Sequence, residues 1–391
     1  MGMIVAAGGG NEVGASCYYL EIGRHKLLLD CGLRLVSGNK YPDFGFLERN
    51  FLNGWIDLDA VVISHAHYDH LAGLPYLTDA ADSLRVLANP VTCTIAPLAL
   101  EPEAKQNHDS PRLVLKRAVS TDNAVRALEP VPYNRPWEKD GLKVTLYPAG
   151  HIPGAAMALI EADGERLLYT GDFSAGSYHL TAPYFLPEEL GPIDALLLSG
   201  TNAYKPNKSG GYGISAMIRG LQKALPEHHF LQYHTQNLTK GVEVAYYLAE
   251  YIRSQELNAK VFLSERVNRF ADCCAEFGVY PLSDIIRPVS ELFLADCPYR
   301  IVVRQSGDPV PRGFFAMPDV PFSLHASHDD IADLIRRVQA KKVFLVHAEP
   351  GFFLPTDLQE AAEAYGGELG QVYNNTPVYF RHIPSFFEGS L

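Results

Sequence analysis

Short apolar runs recur through the first half of the chain and again near its end, and several of them stop directly before polar residues. These runs are rich in Val, Ile and Leu and occupy residues 60–63, 142–147, 167–169, 195–198 and 343–346. Short apolar runs bounded by polar residues predict buried strands. The side chains that follow them are therefore expected at strand ends, where α/β proteins place their chemistry.

After residue 205, helical patterns alternate with strand-like runs. The spacing of Val244, Leu248 and Ile252 predicts an amphipathic helix. Including that helix, the alternating segments occupy residues 214–224, 230–233, 240–254, 260–263, 265–277 and 300–303. Such alternation predicts a small parallel α/β domain. A further helix is expected over residues 327–340, because acidic residues near its start and basic residues near its end suit the helix dipole.

These patterns divide the chain into three segments. A turn-rich junction occupies residues 204–213. Residues 1–205 are predicted to form the N-terminal part of one domain, residues 206–321 an inserted domain, and residues 322–391 the C-terminal part of the first domain. A chain of 391 residues is long enough for one or two hydrophobic cores, as this division requires.

Candidate chemistry is densest in the motif His65-Ala66-His67-Tyr68-Asp69-His70, which follows the run at 60–63. His-x-His can place two imidazoles on one ion, and the following Asp-His offers a carboxylate and an imidazole to a second ion. Zinc favours such nitrogen and oxygen ligands, and two zinc ions can stabilise both oxygens of a displacement at phosphorus. The alternative is a polar turn that happens to contain histidines, which four ligands at this spacing disfavour.

Three further candidates each follow a predicted strand: His151, Asp172 and His347. His151 would supply a third imidazole to the first ion. Asp172 has two carboxylate oxygens and can give one to each ion. A lone histidine after a strand is more often a hydrogen-bonded structural residue, but the convergence of all these segments on strand ends favours a shared metal site.

The motifs together resemble the metallo-β-lactamase fold and, more narrowly, its β-CASP branch of nucleic-acid hydrolases, which includes the mRNA 3′-end processing endonuclease and ribonuclease J-like nucleases. The resemblance rests on Asp30 in Leu-Leu-Asp-Cys-Gly, on residues 65–70, on His151 in Ala-Gly-His, and on Asp172 in Tyr-Thr-Gly-Asp-Phe-Ser. It continues in Phe-Ser-Leu-His at residues 322–325 and in Leu-Val-His-Ala-Glu at residues 345–349. It implies an α/β fold: an αββα sandwich with an inserted parallel α/β domain of the β-CASP type.

The resemblance also implies a ligand set and a cofactor. Two Zn²⁺ ions are expected, with Mn²⁺ as a substitute. The first ion would take His65, His67 and His151, the second would take Asp69, His70 and His347, and Asp172 would bridge them. Asp30 is expected to hydrogen-bond a ligand histidine rather than to bind metal itself.

Asp69 and His325 are the candidate catalytic residues. His325 would protonate the leaving oxygen or hold the substrate phosphate, since histidine titrates near neutral pH. The alternative for His325 is a packed loop histidine, and His328 is a weaker candidate for the same work.

Four places depart from the family pattern. Two of them lie in the inserted domain, where Thr239-Lys240 replaces a Gly-Arg pair and residues 305–308 replace a Ser-Pro-Gly-Met-like loop, and the other two concern the active-site histidine. Ser199 occupies the place of an acid that normally orients the active-site histidine, and Ser327 occupies the place of an aspartate. The β-CASP motifs are therefore degenerate in this chain, which bears on substrate handling and not on the metal ligands.

The function that these features favour is a zinc-dependent phosphodiesterase or nuclease acting on single-stranded nucleic acid, with RNA favoured over DNA. Two alternatives stay open. One is a metallohydrolase of a small substrate such as a nucleotide, lactone or thioester, and the other is a non-catalytic subunit that keeps the fold. A homodimer, or pairing with a homologous subunit, also stays open.

Charge and composition modify this picture slightly. The formal net charge of −12 counts against a nucleic-acid enzyme, but residues 206–321 are neutral, with 12 Lys or Arg and 12 Asp or Glu. The chain has no run of 18 apolar residues and no signal-peptide pattern at its start, so no membrane association is expected. Six scattered cysteines without a Cys-x-x-Cys motif favour free thiols in a reducing cytoplasm.

Overall fold

The structure is a computed structural model that describes residues 2–35, 39–104, 111–205, 210–278, 284–309, 312–320, 322–349, 351 and 353–381. Part of the predicted junction at 204–213 lies outside these residues. The chain divides into two compact units. The larger unit comprises Met1–Ala175, Tyr184–Pro206 and His325–Leu391, and the smaller unit comprises Gly176–Pro183 and Asn207–Leu324.

The sequence predicts that residues 176–183 and 322–324 belong to the first domain, whereas the structure assigns both segments to the smaller unit; the longer one, 176–183, is the larger correction. Their pattern gives no sign of this because the segment has no regular secondary structure. Segment 176–183 is held instead by side-chain contacts with the helix Leu238–Ser254.

The larger unit contains two seven-stranded sheets. The first has the order β19-β1-β2-β3-β4-β5-β6 and the second the order β18-β17-β11-β10-β9-β8-β7. The strands of the first sheet are β1 (Met3–Gly8), β2 (Cys17–Ile22), β3 (His25–Leu29), β4 (Ala60–Ile63), β5 (Val86–Ala88), β6 (Leu128–Pro130) and β19 (Val378–Tyr379). The strands of the second sheet are β7 (Trp137–Lys139), β8 (Leu142–Pro148), β9 (Ala156–Ala162), β10 (Glu165–Tyr169), β11 (Ala195–Ser199), β17 (Lys342–Val346) and β18 (Glu368–Gln371).

Helices lie outside both sheets of the larger unit. They are α1 (Phe44–Asn50), α2 (Tyr68–Leu71), α3 (Leu74–Ala80), α4 (Pro90–Ala104), α5 (Pro111–Arg126), α9 (His328–Val338) and α10 (Thr356–Glu363). Helices α1 and α4 contact the first sheet, and α9 and α10 pack on the second. This layered order matches the predicted αββα sandwich.

Alternation along the strands explains why the apolar runs are continuous. In β11, Ala195 and Leu197 face the core between the two sheets, while Leu196 and Leu198 face the core beneath α9 and α10. Successive side chains of a strand point to opposite faces, so a strand that is covered on both faces needs apolar residues at every position. Each fully buried Leu stabilises the fold by roughly 1.5–3 kcal/mol relative to exposure.

Strand direction brings the chemistry-bearing ends together. Strands β3 and β4 run parallel in the first sheet, and β10, β11 and β17 run parallel in the second. Strand β8 has the same direction as β10 because both pair antiparallel with β9. The carboxyl ends of these strands therefore share an edge within each sheet, as the sequence predicts.

The smaller unit is a five-stranded parallel sheet with the order β14-β13-β15-β12-β16, accompanied by helices. Its strands are β12 (Phe230–Thr235), β13 (Ala259–Leu263), β14 (Ile286–Pro288), β15 (Tyr299–Gln305) and β16 (Phe315–Ala316). Its α-helices are α6 (Gly210–Ala224), α7 (Leu238–Ser254) and α8 (Glu265–Ala275). The predicted parallel α/β architecture of the inserted domain is confirmed. Among the described residues, none of the helices combines the length and the apolar character that crossing a membrane requires.

Segment 176–183 is held to α7 by His179. The Nδ1 atom of His179 lies 3.2 Å from Glu243 Oε2, and its Nε2 atom lies 3.0 Å from Glu250 Oε1. Glu243, which is fully buried, also accepts hydrogen bonds from the backbone N–H groups of His179 and Leu180. Burial lowers the pKa of His179, but the two glutamates outweigh burial and raise it above its usual value.

We predict that His179→Ala lowers the free energy of unfolding more at pH 6 than at pH 9. A raised folded-state pKa contributes stability that is complete below the unfolded pKa and disappears as the pH rises through the folded pKa. Urea unfolding at both pH values measures the difference. The exposed His229 of the same unit is the control, and His229→Ala should lower the free energy of unfolding only slightly. Equal losses for His179→Ala at both pH values would contradict a charged His179.

Candidate metal centre

The predicted ligands sit directly after the parallel strand ends of the larger unit. His65 follows β4, His151 follows β8, Asp172 follows β10 and His347 follows β17. Two groups form there, and within each group one ligand atom from every residue lies within 4.8 Å of the others. One group is His65, His67, His151 and Asp172, and the other is Asp69, His70 and His347. The structure thus brings all seven predicted ligands together.

Asp172 lies at the centre of this cluster. Its Oδ2 atom is 3.4 Å from His325 Nδ1, 3.5 Å from His70 Nε2, 3.8 Å from His347 Nε2 and 3.9 Å from His151 Nε2. Burial alone would raise the pKa of Asp172, but the surrounding imidazoles of His347, His70 and His325 hold it well below its usual value. A buried carboxylate that stays ionised among imidazoles is suited to bridging two cations.

Three ring nitrogens in the cluster are buried without a hydrogen-bond partner: the Nε2 atoms of His65, His67 and His70. Leaving a buried polar atom unsatisfied costs about 1–3 kcal/mol, so three of them in one place call for a ligand. Burial, followed by neighbouring imidazoles, holds the pKa of His65 and of His67 well below the usual value. Both rings are therefore neutral, which is the form that binds metal, and the donor set fits zinc.

Asp30 holds the imidazole of His70 in place on the side of the ring that faces away from the cluster. Its Oδ2 atom lies 2.6 Å from His70 Nδ1 and accepts hydrogen bonds from Ser64 Oγ at 2.7 Å and Tyr169 Oη at 2.5 Å. Its Oδ1 atom accepts the Ser64 backbone N–H at 2.6 Å. Nδ1 of His70 therefore donates to Asp30, and Nε2 is left facing the cluster.

His347 is held in a similar way by Ser16, whose Oγ lies 2.9 Å from His347 Nδ1. The backbone of His347 is left-handed, with φ at 51°, and its N–H donates to Gly9 O at 2.6 Å. Asp30 is also left-handed, with φ at 58°. Non-glycine residues adopt this conformation at a cost that surrounding structure must offset, and such residues concentrate at functional sites.

One glycine allows the second group to form. A Cβ on Gly32 would lie 1.7 Å from the backbone oxygen of Asp69. The loop after β3 therefore approaches the metal-binding motif more closely than any side chain permits.

His325 lies beside the cluster without joining either group. Its ring centroid is 4.4 Å from that of His151, and its side chain keeps 27% of its surface exposed. Burial lowers the pKa of His325, and the carboxylate of Asp172 opposes that shift. An imidazole at this place is accessible to a substrate and close to the ions that the cluster would bind.

The structure does not bring His328 to the cluster. His328 begins α9, where its Nδ1 lies 2.8 Å from the backbone oxygen of Ala203 and its Nε2 contacts Asp357. Its role is to hold the helix start. Ser327 is the N-cap of the same helix, in a capping box with Asp330, so this departure from the family pattern has a structural function.

Sequence reasoning missed the supporting roles of four residues around the ligands: Ser16, Ser64, Tyr169 and Ser199. Ser199 is the most informative, because its Oγ donates to Asp172 Oδ1 at 2.7 Å. The hydroxyl of Ser199 thus orients the central carboxylate. Ser64 and Tyr169 lie immediately beside predicted ligand segments, which is the only signal that the sequence offers.

Comparison with protein families agrees with this geometry. The model described as the metallo-beta-lactamase superfamily matches residues 10–205, which is half of the chain. A second model, described as the Zn-dependent metallo-hydrolase RNA specificity domain, matches residues 317–368. Most residues of both matches lie in the larger unit, and the family descriptions are those of metallo-hydrolases.

Curated relatives agree. Subunit 3 of the cleavage and polyadenylation specificity factor from Dictyostelium discoideum is 36% identical over 208 residues, covering 51% of this chain and 25% of that protein. The probable RNase MJ4 of Methanocaldococcus jannaschii is 30% identical over 209 residues, covering 52% and 47%. The endoribonuclease YSH1 of Gibberella zeae is 27% identical over 294 residues, covering 73% and 32%. The chain thus spans between a quarter and a half of the length of these relatives.

A solved structure supports the fold over nearly the whole chain. The crystal structure of a protein of unknown function from Enterococcus faecalis V583 has a TM-score of 0.62, covering 97% of this chain and 99% of that one at 14% identity. Ligand motifs, layered sheets, family models and relatives agree on one assignment. The chain belongs to the metallo-β-lactamase superfamily, in the β-CASP branch that includes RNA-processing nucleases.

Proposed function

We propose that this protein is a zinc-dependent phosphodiesterase that hydrolyses single-stranded RNA, with single-stranded DNA as a poorer substrate. The observation that carries the proposal is the ionised Asp172 among imidazoles, beside buried ring nitrogens that have no hydrogen-bond partner. The match to an RNA specificity domain over residues 317–368, and relatives named as endoribonucleases, support RNA as the substrate class.

The metal assignment follows the two groups. His65, His67 and His151 would hold one Zn²⁺ ion, and Asp69, His70 and His347 would hold the other, with Asp172 shared; Mn²⁺ suits the same donors less well. When bound, the ions lower the pKa of a water molecule toward ~7 and neutralise charge on the substrate phosphate.

The chain's own residues supply the rest of the mechanism. Asp172 keeps its negative charge at the cluster, and Asp69 would accept a hydrogen bond from the attacking water. His325 donates a proton to the leaving oxygen at the exposed side of the cluster, where the next nucleotide of a strand would lie. Ser199 holds Asp172 Oδ1, which leaves Oδ2 directed at the cluster.

The cellular compartment and the protein partners are proposed from fewer observations than the activity is. All six cysteines are free thiols, which supports a reducing compartment such as the cytoplasm. We also propose that the protein pairs with a second copy or with a homologous subunit, and this proposal rests on the family resemblance alone.

The direct test is cleavage of labelled RNA, labelled single-stranded DNA and bis-p-nitrophenyl phosphate by the zinc-loaded protein. We expect cleavage of RNA above DNA, abolished by chelation and restored by zinc. Cleavage of the small diester without cleavage of either polymer would favour a small-substrate metallohydrolase. Inactivity on all three, with the metals bound, would favour a non-catalytic subunit.

We predict that the wild-type protein binds two zinc ions per chain. In Asp172→Asn we expect a loss of bound zinc and a loss of RNA cleavage. The substitution removes the shared charge while keeping the size of the side chain. Elemental analysis after removal of loosely bound metal measures the stoichiometry. If the wild-type protein holds one zinc ion or less per chain after zinc addition, the two-ion site is excluded. If Asp172→Asn cleaves RNA at the wild-type rate, the catalytic site does not include Asp172.

We predict that Asp30→Asn weakens binding of the second ion by roughly 10–100-fold, because residues that hydrogen-bond a ligand histidine contribute on this scale. Competition with a chromophoric chelator measures the affinity. The matched control is Asp43→Asn, since Asp43 caps α1 by accepting the Phe46 N–H and lies outside the cluster. The control should bind both ions normally, and equal weakening in both variants would contradict a specific role for Asp30.

We predict that His325→Ala keeps both ions and loses on the order of 10²–10⁴ in the rate of RNA cleavage, as removal of a general acid typically does. The loss should be smaller for bis-p-nitrophenyl phosphate, because p-nitrophenolate leaves without protonation. Equal losses of rate on both substrates would mean that His325 positions the substrate phosphate and does not donate a proton. No loss on either would make His325 a structural residue.

A further inference from the structure

A cavity of about 690 Å³ lies in the larger unit. Its described walls come from the end of β1, from the loop after β3, from the start of α1, from α3 and from the loop between β18 and β19. The volume falls within the range of ~300–1,000 Å³ that small-molecule sites occupy. None of its described lining residues belongs to the two ligand groups, so the cavity is distinct from the metal centre.

Two contacts place this cavity beside the metal centre. A Cβ at Gly14 would lie 3.8 Å from the Cα of the lining residue Arg34 and 3.9 Å from the Cβ of the ligand Asp69. One glycine therefore separates a wall of the cavity from the second ligand group. The lining residue Asn374 accepts the Gly10 N–H at 2.8 Å, in the glycine turn to which a ligand histidine is hydrogen-bonded. A strand of nucleic acid bound at the second ligand group can thus reach the cavity with a neighbouring nucleotide.

One wall of the cavity is an aromatic stack whose outer ring is exposed. The ring of Tyr76 stacks on that of Phe44, with centroids 4.7 Å apart and planes inclined by 10°. Phe44 in turn packs edge-on against Trp55 at 5.4 Å, and both of these side chains are 3% exposed. Tyr41 and Tyr76 each keep 43% of their surface exposed. The buried pair holds Tyr76 in place, and the exposed surface of Tyr76 suits stacking on a further flat ring.

The polar groups of the cavity are paired within the protein. Arg34, the cation among its described lining residues, donates to both carboxylate oxygens of Glu12 at 2.8 and 2.7 Å. The side-chain amides of Asn374 and Asn375 donate to Glu12 at 2.8 Å and to Asp43 at 3.1 Å. A phosphate bound here would compete with Glu12 for Arg34. Recognition therefore has to come from the aromatic surface, which suits a nucleobase of any kind.

We propose that this cavity is a base-binding subsite, in which Tyr76 stacks on a nucleobase of the RNA strand near the scissile phosphate. The inference rests on the proposed hydrolysis of RNA for the identity of the strand. Stacking of bases on aromatic side chains contributes to the binding of single strands and tolerates any sequence. In a chain with a net charge of −12, it supplies an attraction to RNA that does not depend on positive charge.

Substitution of Tyr76 tests the subsite with RNA as the substrate. Tyr76→Ala removes the ring, and we expect KM to rise roughly 5–150-fold with kcat unchanged, because the base is stacked in the bound substrate and in the transition state alike. Tyr76→Phe keeps the ring and should recover most of the affinity. The matched control is Tyr379→Ala, since Tyr379 is 48% exposed in the same unit and does not line the cavity. An unchanged KM in Tyr76→Ala, a loss confined to kcat, or an equal rise of KM in the control would refute the subsite.

Abasic substrates test the same point with the wild-type protein, so that the result does not depend on how Tyr76→Ala folds. A series of RNA oligonucleotides carries one abasic residue each, at successive positions around the cleavage site. We expect one position at which the missing base raises KM. At that position, abasic and unmodified RNA should have the same KM with Tyr76→Ala, because the ring that binds the base is gone. If no position matters, or if the two losses add, the cavity does not bind a base of the strand.

A binding measurement without cleavage separates this inference from the proposed function. In a Trp137→Phe background Trp55 is the only tryptophan of the chain, and its ring centroid lies 6.4 Å from that of Tyr76. The zinc-loaded protein is titrated with AMP and with ribose 5-phosphate, which carries the same phosphate without a base. We expect a saturable change of Trp55 fluorescence with AMP only, and no such change when Tyr76→Ala is added.

The outcomes of this titration distinguish the possible ligands. Equal responses to both compounds, or no response to either, would contradict base binding. A response to a phenylalanine-containing peptide but not to AMP would assign the cavity to a protein partner and overturn the proposal. The expected response to AMP in a protein that cleaves no RNA would sustain the base-binding cavity while the proposed function fails.

Discussion

The Oδ2 atom of Asp172 is the point on which the structure of the site depends. Four imidazole nitrogens lie within 3.9 Å of this oxygen. A carboxylate buried to this degree would be protonated unless positive charge or hydrogen-bond donors surrounded it. The chain supplies a hydroxyl donor from Ser199 and several imidazoles that hold the pKa of Asp172 low, and this arrangement suits cations bound between the carboxylate and the rings. The fold must therefore deliver ligands from several strands to one place.

Two packed sheets meet this demand. Parallel neighbours in each sheet end at the same edge, so loops that are far apart in sequence deliver His65, His151 and His347 to one site. The cores on both faces of the second sheet leave its strands little freedom to slide, because a one-residue shift would move every side chain to the opposite face. Left-handed backbones at Asp30 and His347 then direct those two side chains, at a conformational cost that the packed sheets offset.

Much of this is predictable from the sequence, for identifiable reasons. Apolar runs such as 195–198 predict strands because they are buried on both faces, and the helix predicted at 240–254 is observed as α7 (Leu238–Ser254). The clustering of the seven ligands follows from their positions after strands. Placement of residues 176–183 in the first domain was wrong, because that segment is held by His179 and Glu243 rather than by a pattern.

The supporting hydroxyls are not predictable in the same way. Ser16, Ser64 and Ser199 have no periodicity and no motif, and their partners are set only by three-dimensional proximity. The sequence indicates only that an acid is absent at Ser199, whereas the structure gives this serine a hydrogen bond to Asp172.

Anomalous diffraction at the zinc edge, from crystals of the zinc-loaded protein, tests the central claim most directly. The account predicts two peaks. One should lie about 2.0–2.2 Å from nitrogens of His65, His67 and His151, the other at the same distance from donors of Asp69, His70 and His347, and Asp172 should contact both. A single peak, or two peaks of which neither contacts Asp172, would contradict it.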